Sequence, residues 1–495
     1  MRQIQFIIVF FICSLWVNAS TPIDNLLDNS VLEHANISLL VQDLKTGETL
    51  ASIRPSHSAM PASTMKLITT ATALELLGKD FRFKTSILKQ GKVSSDSILD
   101  GNLIISGGGD PTLGSSRMGD SEFLSKWVQA VQKAGIKKVN GNIVADEALF
   151  DREGVNASWQ WDDMGNYYAA GAYGLAYLDN QFQLVLKSDV IGTKPVVVKT
   201  IPEIPELEID NQLTSAAISF DSAFFHAAPK SNVRSIYGKI PANKAEFIVK
   251  GDIPNPSLLL SYHFKNLLKV NGIDVIGSCK VNSDTIIKGD TLVSTYSPIL
   301  KDIITETNVK SNNLYAEHLF RYLGYTRSRQ GNAASAIKVI KDYWMQKGLS
   351  TSQLFLNDGS GLSPSDGISA HFFVELLTYM HLKSKNDSIF LHSLPVSGES
   401  GTLKNFLKNT ALHGKVYAKS GTIARVKCYA GYIFTEKRDL VFAVLINNSK
   451  GSHKIVTQKI EDFLIEMSQS TATIPTKKIN FTHKRHKRQC LKNEN

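Results

Sequence analysis

The feature that most constrains the fold is a long β-rich segment that interrupts two regions of a different character. Residues 86–289 contain short β-prone runs separated by Gly, Pro, Asn and Asp, which is typical of strands joined by turns. Residues 20–85 and 290–470 combine helical patterns with pairs of strands. Because helices and sheets must bury their apolar faces against one another, we expect both ends of the chain to form one discontinuous α/β domain. The middle segment is then an insertion of further β-rich domains.

The N-terminal part of the discontinuous domain begins with a predicted hairpin. Two β-prone runs, 37–41 and 49–53, are separated by a Gly-containing turn, which is a hairpin signal. A helix should follow between Pro61 and Gly78, since Pro favours the first helical turn and Gly the end. That helix has only two charged residues, so we expect it to be buried on most sides.

The C-terminal part of the same domain carries further periodic segments. Helical patterns cover 311–325 and 333–347, and a last helix is expected over 454–467. Alternating apolar residues predict two paired strands over 429–435 and 440–446.

The first 19 residues resemble a targeting segment. A charged start, a short apolar stretch and small residues at 17–19 are typical of a secretory signal peptide. An uncleaved anchor is the alternative, although the stretch is shorter than the roughly 20 residues that span a bilayer. We therefore expect an exported protein of the periplasm or cell envelope.

The net charge of +10 is concentrated in a basic tail, residues 471–495, which we expect to be disordered. From Lys477 to Asn495 the chain has seven basic residues and one acidic residue, which is +6 of the total. This distribution does not favour a nucleic-acid partner. It favours peripheral contact of the tail with an anionic envelope surface, and a solvated tail without a partner is the alternative.

The four cysteines do not form a disulfide framework. Cys13 lies in the predicted signal peptide, and Cys279, Cys428 and Cys490 have no C-x-x-C spacing. A Cys279–Cys428 disulfide is left open by the sequence.

Ser63 and Lys66 form the first pattern with chemical content, S-x-x-K. Residues three apart on a helix share a face, so the two side chains can meet. Ser63 lies at the predicted helix N-terminus, where the helix dipole favours developing negative charge. Burial in an apolar helix lowers the pKa of a lysine, which would let Lys66 accept the serine proton. A surface S-x-x-K on an amphipathic helix is the alternative, because this pattern is common by chance.

Ser311-Asn312-Asn313 is the second pattern and precedes a helical segment. Ser and Asn are favoured helix caps, which is the simpler interpretation. In the functional interpretation, the Ser311 hydroxyl relays a proton and the Asn313 amide donates a hydrogen bond to the substrate.

Lys419-Ser420-Gly421-Thr422 is the third pattern and precedes the terminal strand pair. A cation, a hydroxyl and a glycine on an edge strand can hold a substrate carboxylate beside the backbone, because glycine permits close approach. A Gly-containing turn is the alternative.

Other classes of hydrolase lack their signatures in this sequence. There is no H-E-x-x-H, and His371 and Glu375 form a helical pair without further partners. G-x-S-x-G, the pattern of α/β-hydrolases, is also absent. We therefore predict neither a metal nor a cofactor.

In their order along the chain, the three patterns resemble the signature of penicillin-interacting serine enzymes: S-x-x-K, S-x-N, K-[ST]-G. The separation of 248 residues between Ser63 and Ser311 is far longer than in a compact β-lactamase. It resembles the D-alanyl-D-alanine carboxypeptidase/endopeptidase family, the class C low-molecular-mass penicillin-binding proteins of the penicillin-binding protein 4 type. That family carries extra domains at this point.

The third motif has Ser420 where the family commonly has threonine, and the inserted region matches less firmly. Other segments that carry the resemblance, which ends at about residue 468, are 101–103, 109–113, 358–363, 394–398 and 401–403.

This resemblance implies both a fold and an activity. The fold is α/β: a penicillin-binding/β-lactamase-like transpeptidase domain, with an antiparallel sheet, helices on both faces, and β-rich domains inserted between the first and second motifs. The activity is a serine-type D-Ala-D-Ala carboxypeptidase, endopeptidase or both, acting on peptidoglycan stem peptides. β-Lactams are then expected to be covalent inhibitors.

The resemblance also implies the role of each site residue. Ser63 becomes acylated, Lys66 takes its proton, and Ser311 with Lys419 relays it to the leaving D-alanine. The backbone N–H groups of Ser63 and Thr422 form the oxyanion hole, and the hydroxyls of Ser420 and Thr422 hold the substrate carboxylate. The implied catalytic residues are Ser63, Lys66, Ser311, Asn313 and Lys419, and the implied substrate-binding residues are Ser420, Gly421 and Thr422.

The competing function is a penicillin-sensing or wall-binding protein with the same fold and no turnover. A pure binder has no need of all five catalytic residues, so the sequence favours turnover. The balance of carboxypeptidase and endopeptidase activity, the diamino acid of the stem peptide and the oligomeric state stay open.

Overall fold

A computed structural model describes residues 21–28 and 30–469. The predicted signal peptide (1–19) and basic tail (471–495) lie outside the described residues. In the described part of the chain, no helix is long and apolar enough to cross a membrane.

The segment before the insertion contains the predicted hairpin and the predicted buried helix. The hairpin is confirmed, because its two strands pair antiparallel with Leu40 opposite Ser52. The helix is confirmed with a different start: Ala62–Met65 form a 3-10 turn that leads into the α-helix, which ends at Gly78. The elements are α1 Pro22–Leu27, β1 Asn36–Asp43, β2 Thr49–Ile53, β3 Ser58–Ala59 and α2 Lys66–Leu77.

The inserted segment is rich in strands, as the punctuated sequence predicts, and it also contains two helices. Its elements are β4 Lys84–Val93, β5 Ile98–Ser106, α3 Phe123–Lys133, β6 Lys138–Val139, β7 Ile143–Asp146, β8 Gln181–Lys187, β9 Val196–Ile201, β10 Glu208–Ala216, β11 Phe224–His226, β12 Val233–Pro241, β13 Phe247–Asp252, α4 Pro256–Val270, β14 Asp274–Val275, β15 Cys279–Asn282 and β16 Asp290–Tyr296.

The segment after the insertion contains the predicted helices and the terminal strand pair. Its elements are α5 Leu300–Val309, α6 Asn313–Ser328, α7 Ala333–Gln346, β17 Leu354–Phe355, β18 Gly367–Ser369, α8 Ala370–Leu382, α9 Asp387–His392, β19 Val416–Ile423, β20 Val426–Phe434, β21 Asp439–Asn447 and α10 His453–Gln469.

The segments before and after the insertion meet in one five-stranded antiparallel sheet with the order β19-β20-β21-β1-β2. Side chains alternate between the two faces of a strand. On β21, Ala443 therefore faces a core shared with α2, α6 and α8, while Phe442 faces a second core shared with α1 and α10. The sheet thus has helices on both faces, as predicted, and β19 lies at its edge.

The inserted segment has a separate core. Strands β4–β7 and β14–β16 form a seven-stranded mixed sheet. The segment also contains two three-stranded sheets, with the orders β10-β12-β11 and β13-β8-β9. Trp127, Leu184, Phe225 and Phe264 are among the buried residues of this core.

The pairing of strand β16 indicates where the insertion ends. β16 pairs antiparallel with β4, so Tyr296 lies opposite Lys84. Sequence patterning assigns residues from 290 onward to the catalytic domain, yet 290–296 belong to the sheet of the inserted segment. We propose that the insertion spans residues 84–296.

The two cysteines that the structure describes are free thiols. Cys428 lies in the core of the catalytic domain, whereas Cys279 packs against the core of the insertion. The disulfide that the sequence leaves open is therefore not formed.

Candidate active site

Ser63 lies in the 3-10 turn that precedes α2. The residue before it, Ala62, has a φ of +46°, a left-handed conformation that is unfavourable for a residue with a Cβ. Gly361 packs directly against this turn, since a Cβ on Gly361 would lie 1.9 Å from the Ala62 carbonyl oxygen. This close contact leaves no room for a side chain at position 361 beside the turn that carries Ser63.

Lys66 is fully buried beside Ser63. Its Nζ lies 2.9 Å from Ser63 Oγ, 2.6 Å from Asn313 Oδ1 and 2.7 Å from the Ser360 carbonyl oxygen. Carbonyl oxygens can only accept, so Asn313 and Ser360 each take one N–H of the amine. The remaining position on Nζ faces Ser63 Oγ, and it is a lone pair when the amine is neutral.

The environment of Lys66 favours the neutral amine. Burial lowers the pKa of Lys66 to about 7, although Asp358, and Glu317 when it is ionised, act in the opposite direction. Desolvation disfavours the ammonium form because the charge loses its water. Lys66 can therefore accept a proton near neutral pH.

Two buried carboxyl groups hold the loop that carries Ser360. Glu317 Oε1 accepts hydrogen bonds from the backbone N–H groups of Gly359, at 3.0 Å, and Ser360, at 2.8 Å. Asp358 Oδ1 accepts one from the Gly361 N–H at 2.7 Å. Burial, together with the charge of the nearby Asp358, raises the pKa of Glu317 to about 8. This loop aims the Ser360 carbonyl at Lys66.

Sequence reasoning did not find the role of either carboxyl group. Asp358 lies in a segment that carries the family resemblance, and Glu317 lies one helical turn after Asn313. A charged residue four positions after a motif residue lies on the same helix face. This spacing could have identified Glu317 from the sequence.

The second and third motifs meet through Ser311 and Lys419. Lys419 Nζ donates hydrogen bonds to Ser311 Oγ, at 3.0 Å, and to the Ser420 carbonyl, at 2.7 Å. Burial lowers the pKa of Lys419 well below its ordinary value, and the charges of Lys66 and Lys427 add to this effect. Ser311 and Lys419 therefore form a second hydroxyl–amine pair.

Asn312, and not Ser311, caps helix α6. The Asn312 side chain accepts a hydrogen bond from the Tyr315 N–H at 3.2 Å, whereas Ser311 has a left-handed backbone with φ +57°. The helix-cap interpretation of the second motif is therefore correct for Asn312. The Ser311 hydroxyl takes no part in the cap and can contact Lys419.

The edge strand β19 runs directly beside the Ser63 turn. A Cβ on Gly421 would lie 2.6 Å from the Pro61 carbonyl oxygen and 3.1 Å from the Ser63 backbone nitrogen. The contact with the Pro61 carbonyl oxygen is too short for any side chain, so this approach requires glycine. The close approach brings the backbone at Gly421 and Thr422 next to the Ser63 N–H.

The two hydroxyl groups of the third motif lie in different surroundings. Ser420 is buried, and its Oγ donates a hydrogen bond to Thr402 Oγ1 at 2.8 Å. Thr422 is exposed and lines the cleft, where its Oγ1 accepts a hydrogen bond from Lys427 Nζ at 2.9 Å. The Thr422 hydroxyl is therefore the better placed of the two to meet a substrate.

A cleft of about 770 Å³ opens over these motifs. Ser63, Ser311, Asn313 and Thr422 line it, while Lys66, Lys419, Ser420 and Gly421 lie behind them. The inserted segment forms the opposite wall with Gln160, Asp162, Asp163, Tyr167, Tyr168, Phe224 and His226.

Hydrogen bonds join the inserted segment to Asn313 of the second motif and to Asp358 of the loop beside Lys66. Asn313 Nδ2 donates to the Tyr168 carbonyl at 2.8 Å, and Trp159 Nε1 donates to Asp358 Oδ2 at 2.8 Å. Sequence reasoning named no residue of this wall, because short aromatic and acidic segments without a periodic pattern carry no signal of their own. The structure thus brings all eight predicted residues to one place and adds a wall that was not predicted.

Comparison with known proteins agrees with this arrangement. The profile of the D-Ala-D-Ala carboxypeptidase 3 (S13) family matches residues 19–469. A D-alanyl-D-alanine carboxypeptidase of Actinomadura sp. (strain R39) is 29% identical over 450 residues, which cover 88% of this chain and 82% of that protein.

Solved structures show the same fold. The crystal structure of penicillin binding protein 4 from Haemophilus influenzae superposes with a TM-score of 0.78 at 23% identity, covering 90% of this chain and 98% of that one. The same protein in complex with a β-lactam gives a TM-score of 0.72 at 22% identity, covering 91% and 98%.

Proposed function

The chain belongs to the D-Ala-D-Ala carboxypeptidase 3 (S13) family, and from this membership we propose that its serine DD-peptidase activity proceeds through an acyl-enzyme on Ser63. The substrate is a peptidoglycan stem peptide that ends in D-alanyl-D-alanine. The observation that supports this most strongly is the environment of Lys66. Two carbonyl oxygens take its N–H groups, and the remaining position on Nζ faces Ser63 Oγ at 2.9 Å.

Acylation begins with proton transfer from Ser63 to Lys66. The Ser63 oxygen attacks the carbonyl carbon of the scissile bond, and its proton moves to the neutral Lys66 amine. Negative charge develops on the carbonyl oxygen, where the backbone N–H groups of Ser63 and Thr422 stabilise it. The close approach of Gly421 to the Ser63 nitrogen supports this oxyanion hole.

Collapse of the tetrahedral intermediate releases D-alanine. Its amide nitrogen needs a proton as the C–N bond breaks, and we assign that proton to the Ser311 hydroxyl, which Lys419 contacts at 3.0 Å. The proton that Lys66 took from Ser63 replaces it on Ser311, so Lys66 is neutral again. Water then attacks the acyl-enzyme and gives its proton to Lys66, which returns it to Ser63 Oγ as the ester bond breaks and the shortened peptide leaves. No cofactor enters any of these steps.

Thr422 is the residue that we assign to the terminal carboxylate of the substrate. Its hydroxyl lines the cleft, whereas the Ser420 hydroxyl is engaged with Thr402. Ser420 and Lys419 then support this end of the cleft from behind, and Asn313 contacts the peptide on the other side of Ser63. The wall formed by Tyr168 and its neighbours meets the peptide beyond the scissile bond.

β-Lactams are the expected covalent inhibitors. The protein from Haemophilus influenzae has been crystallised in complex with a β-lactam, and this chain has the same fold as that protein. A β-lactam presents a strained amide to Ser63 and keeps its leaving group attached after acylation. A sensor that is acylated and never turns over is the competing function.

We also propose that the chain is exported and works in the periplasm or cell envelope. The predicted signal peptide, the family's peptidoglycan chemistry and the basic tail agree with this location. The tail would add peripheral contact with an anionic envelope surface.

Turnover distinguishes the peptidase from the sensor. Purified protein is incubated with a muropeptide that ends in D-alanyl-D-alanine and with a cross-linked dimer, and released D-alanine and monomer are measured. Release of either product that is lost in Ser63→Ala supports the peptidase. Labelling by a fluorescent penicillin without product from either substrate would favour the sensor.

A further inference from the structure

Lys427 is a cation beside the cleft that the three motifs do not include. It lies on β20 directly opposite Thr422 of β19. Side chains of directly opposed residues in an antiparallel pair point to the same face of the sheet. The Lys427 Nζ accordingly donates a hydrogen bond to Thr422 Oγ1 at 2.9 Å.

The charge of Lys427 is not neutralised by direct ion pairing. In the part of the chain that the structure describes, its ammonium group forms no salt bridge. Burial lowers the pKa of Lys427, and the charge of Glu461 on α10 opposes this shift without forming an ion pair. Glu461 Oε1 accepts a hydrogen bond from the Leu407 N–H at 2.6 Å. The ammonium lies 5.2 Å from the centre of the Tyr429 ring, which is a favourable contact for a cation.

The positive charge of Lys427 also affects the pKa values of nearby ionisable groups. Burial is the main cause of the lowered pKa of Lys419 and of the lowered pKa of His453, at the start of α10, and the charge of Lys427 adds to both shifts. Lys427 therefore places a cation at the Thr422 end of the cleft, where an anionic group is favoured.

The hydrogen bond from Lys427 also determines what the Thr422 hydroxyl can do. A hydroxyl has one proton to donate and two lone pairs, whereas an ammonium group can only donate. Because Lys427 occupies a lone pair of Thr422 Oγ1, the hydroxyl proton is free to be donated to a group in the cleft. Polarisation by a charged donor makes the hydroxyl itself a better donor.

We propose that Lys427 is a positioning residue that sets specificity for substrates with a free carboxylate. It orients and polarises the Thr422 hydroxyl, which then donates a hydrogen bond to the carboxylate beside the scissile amide. This inference rests on the proposed function, since it takes Thr422 as the contact for the substrate carboxylate. It concerns peptides and β-lactams alike, because both carry an anionic group at this position.

Acylation by benzylpenicillin and by its methyl ester provides the test. The two compounds share the same ring and differ in the charge of the carboxylate, so their ratio of acylation rate constants measures recognition of that charge. The rate constants are followed by intact mass for the wild type, Lys427→Met, Lys427→Arg and Lys415→Met. Lys415 is exposed and immediately precedes β19, so Lys415→Met makes the same charge change away from the cleft.

We expect Lys427→Met to lower the acid-to-ester ratio about tenfold, as for loss of a charge-assisted hydrogen bond. Lys427→Arg should restore most of the ratio, and Lys415→Met should leave it unchanged. Equal slowing with both compounds would mean that Lys427 only supports the fold, and would overturn the proposal. An unchanged ratio would also overturn it.

A double-mutant cycle tests whether Lys427 acts through Thr422. If it does, Lys427→Met changes the acid-to-ester ratio much less in a Thr422→Val background than in the wild type. Fully additive effects would contradict the proposed route. Failure of the proposed function is a separate result, because wild-type protein would then react with neither compound at Ser63.

Discussion

Lys66 Nζ donates a hydrogen bond to Asn313 Oδ1 at 2.6 Å, although 247 residues separate the two positions along the chain. One residue precedes the insertion and the other follows it. The proposed base is therefore complete only when both ends of the chain have come together in the same domain. The insertion is also tied to this point, since Asn313 Nδ2 donates to the Tyr168 carbonyl.

The pH dependence of acylation follows from the state of Lys66. An ammonium group has no lone pair, so only the neutral amine can take the Ser63 proton. Because the pKa of Lys66 is lowered to about 7, the acylation rate should rise with pH through a midpoint near that value. The rate constant for a fluorescent penicillin between pH 5 and 9 checks this.

Lys66→Ala is the matching variant for that profile. We expect acylation to fall by roughly a thousandfold, within the range for loss of a general base, and the rise near pH 7 to disappear. A wild-type rate that does not vary between pH 5 and 9 would contradict the role of Lys66, as would unchanged acylation in folded Lys66→Ala.

Glu317→Gln should change how stability depends on pH. The pKa of Glu317 is raised to about 8 in the folded protein, far above that of an unfolded glutamate. Between these two values the unfolded chain has released the proton and the folded chain has kept it. The contribution of Glu317 to the stability of the wild type therefore falls as pH rises, by up to about 1.4 kcal/mol per pH unit.

Glutamine resembles the protonated carboxyl group and does not titrate, so Glu317→Gln should gain stability relative to the wild type between about pH 5 and 8. Urea unfolding across this range measures the difference in the free energy of unfolding. Glu436→Gln, in an exposed turn, is the control and should differ from the wild type by a constant amount. A constant difference for Glu317→Gln as well would refute the prediction.

Gly421→Ala should slow acylation by separating β19 from the Ser63 turn. The new Cβ would meet the Pro61 carbonyl oxygen at 2.6 Å, so one of the two backbones must move. A displacement of about 1 Å at a reacting group can reduce a rate by roughly a hundredfold. Gly367→Ala is the control, because its nearest contact would be an ordinary 3.5 Å. Equal acylation rates for the two variants would speak against the need for this close approach.

Trp159→Phe tests whether the insertion supports the site. Phenylalanine preserves much of the packing but removes the hydrogen bond from Trp159 Nε1 to Asp358. Trp344→Phe removes a comparable bond to Thr72 in the interior of the catalytic domain. Both variants should lose about 1–2 kcal/mol of unfolding free energy, measured with urea. Only Trp159→Phe should also slow acylation, and equal rates would argue that the insertion does not position the Asp358 loop.

Local patterns predicted much of the fold. The hairpin from Asn36, the strand pair from Val426 and the last helix, His453–Gln469, agree with the sequence pattern to within a few residues, because alternation and helical periodicity are local signals. The functional interpretation of the third motif placed it on an edge strand, with a Gly-containing turn as the alternative, and β19 lies at the edge of its sheet.

Long-range contacts account for what the sequence did not reveal. Pairing of β16 with β4 joins segments about two hundred residues apart, and such pairing leaves no local sign. Glu317 acts through backbone N–H groups of a distant loop, and Lys427 through a hydroxyl on the neighbouring strand. Their residue types alone are ordinary, so only their partners reveal a role.

The site residues themselves were predicted from the order of three motifs. The structure adds which of their hydroxyl groups face the cleft and which make other hydrogen bonds. Ser311 is free of the helix cap that Asn312 provides. Thr422 faces the cleft, and Ser420 does not.

The central claim is that Ser63 is the acylated nucleophile, and mapping of the penicillin adduct tests it most directly. Folded protein is reacted with benzylpenicillin, its intact mass is measured, and the modified peptide is sequenced by mass spectrometry. We predict one adduct per chain, located on Ser63 and absent from Ser63→Ala that unfolds at the same temperature as the wild type. No adduct, or an adduct on another residue that persists in Ser63→Ala, would contradict the account.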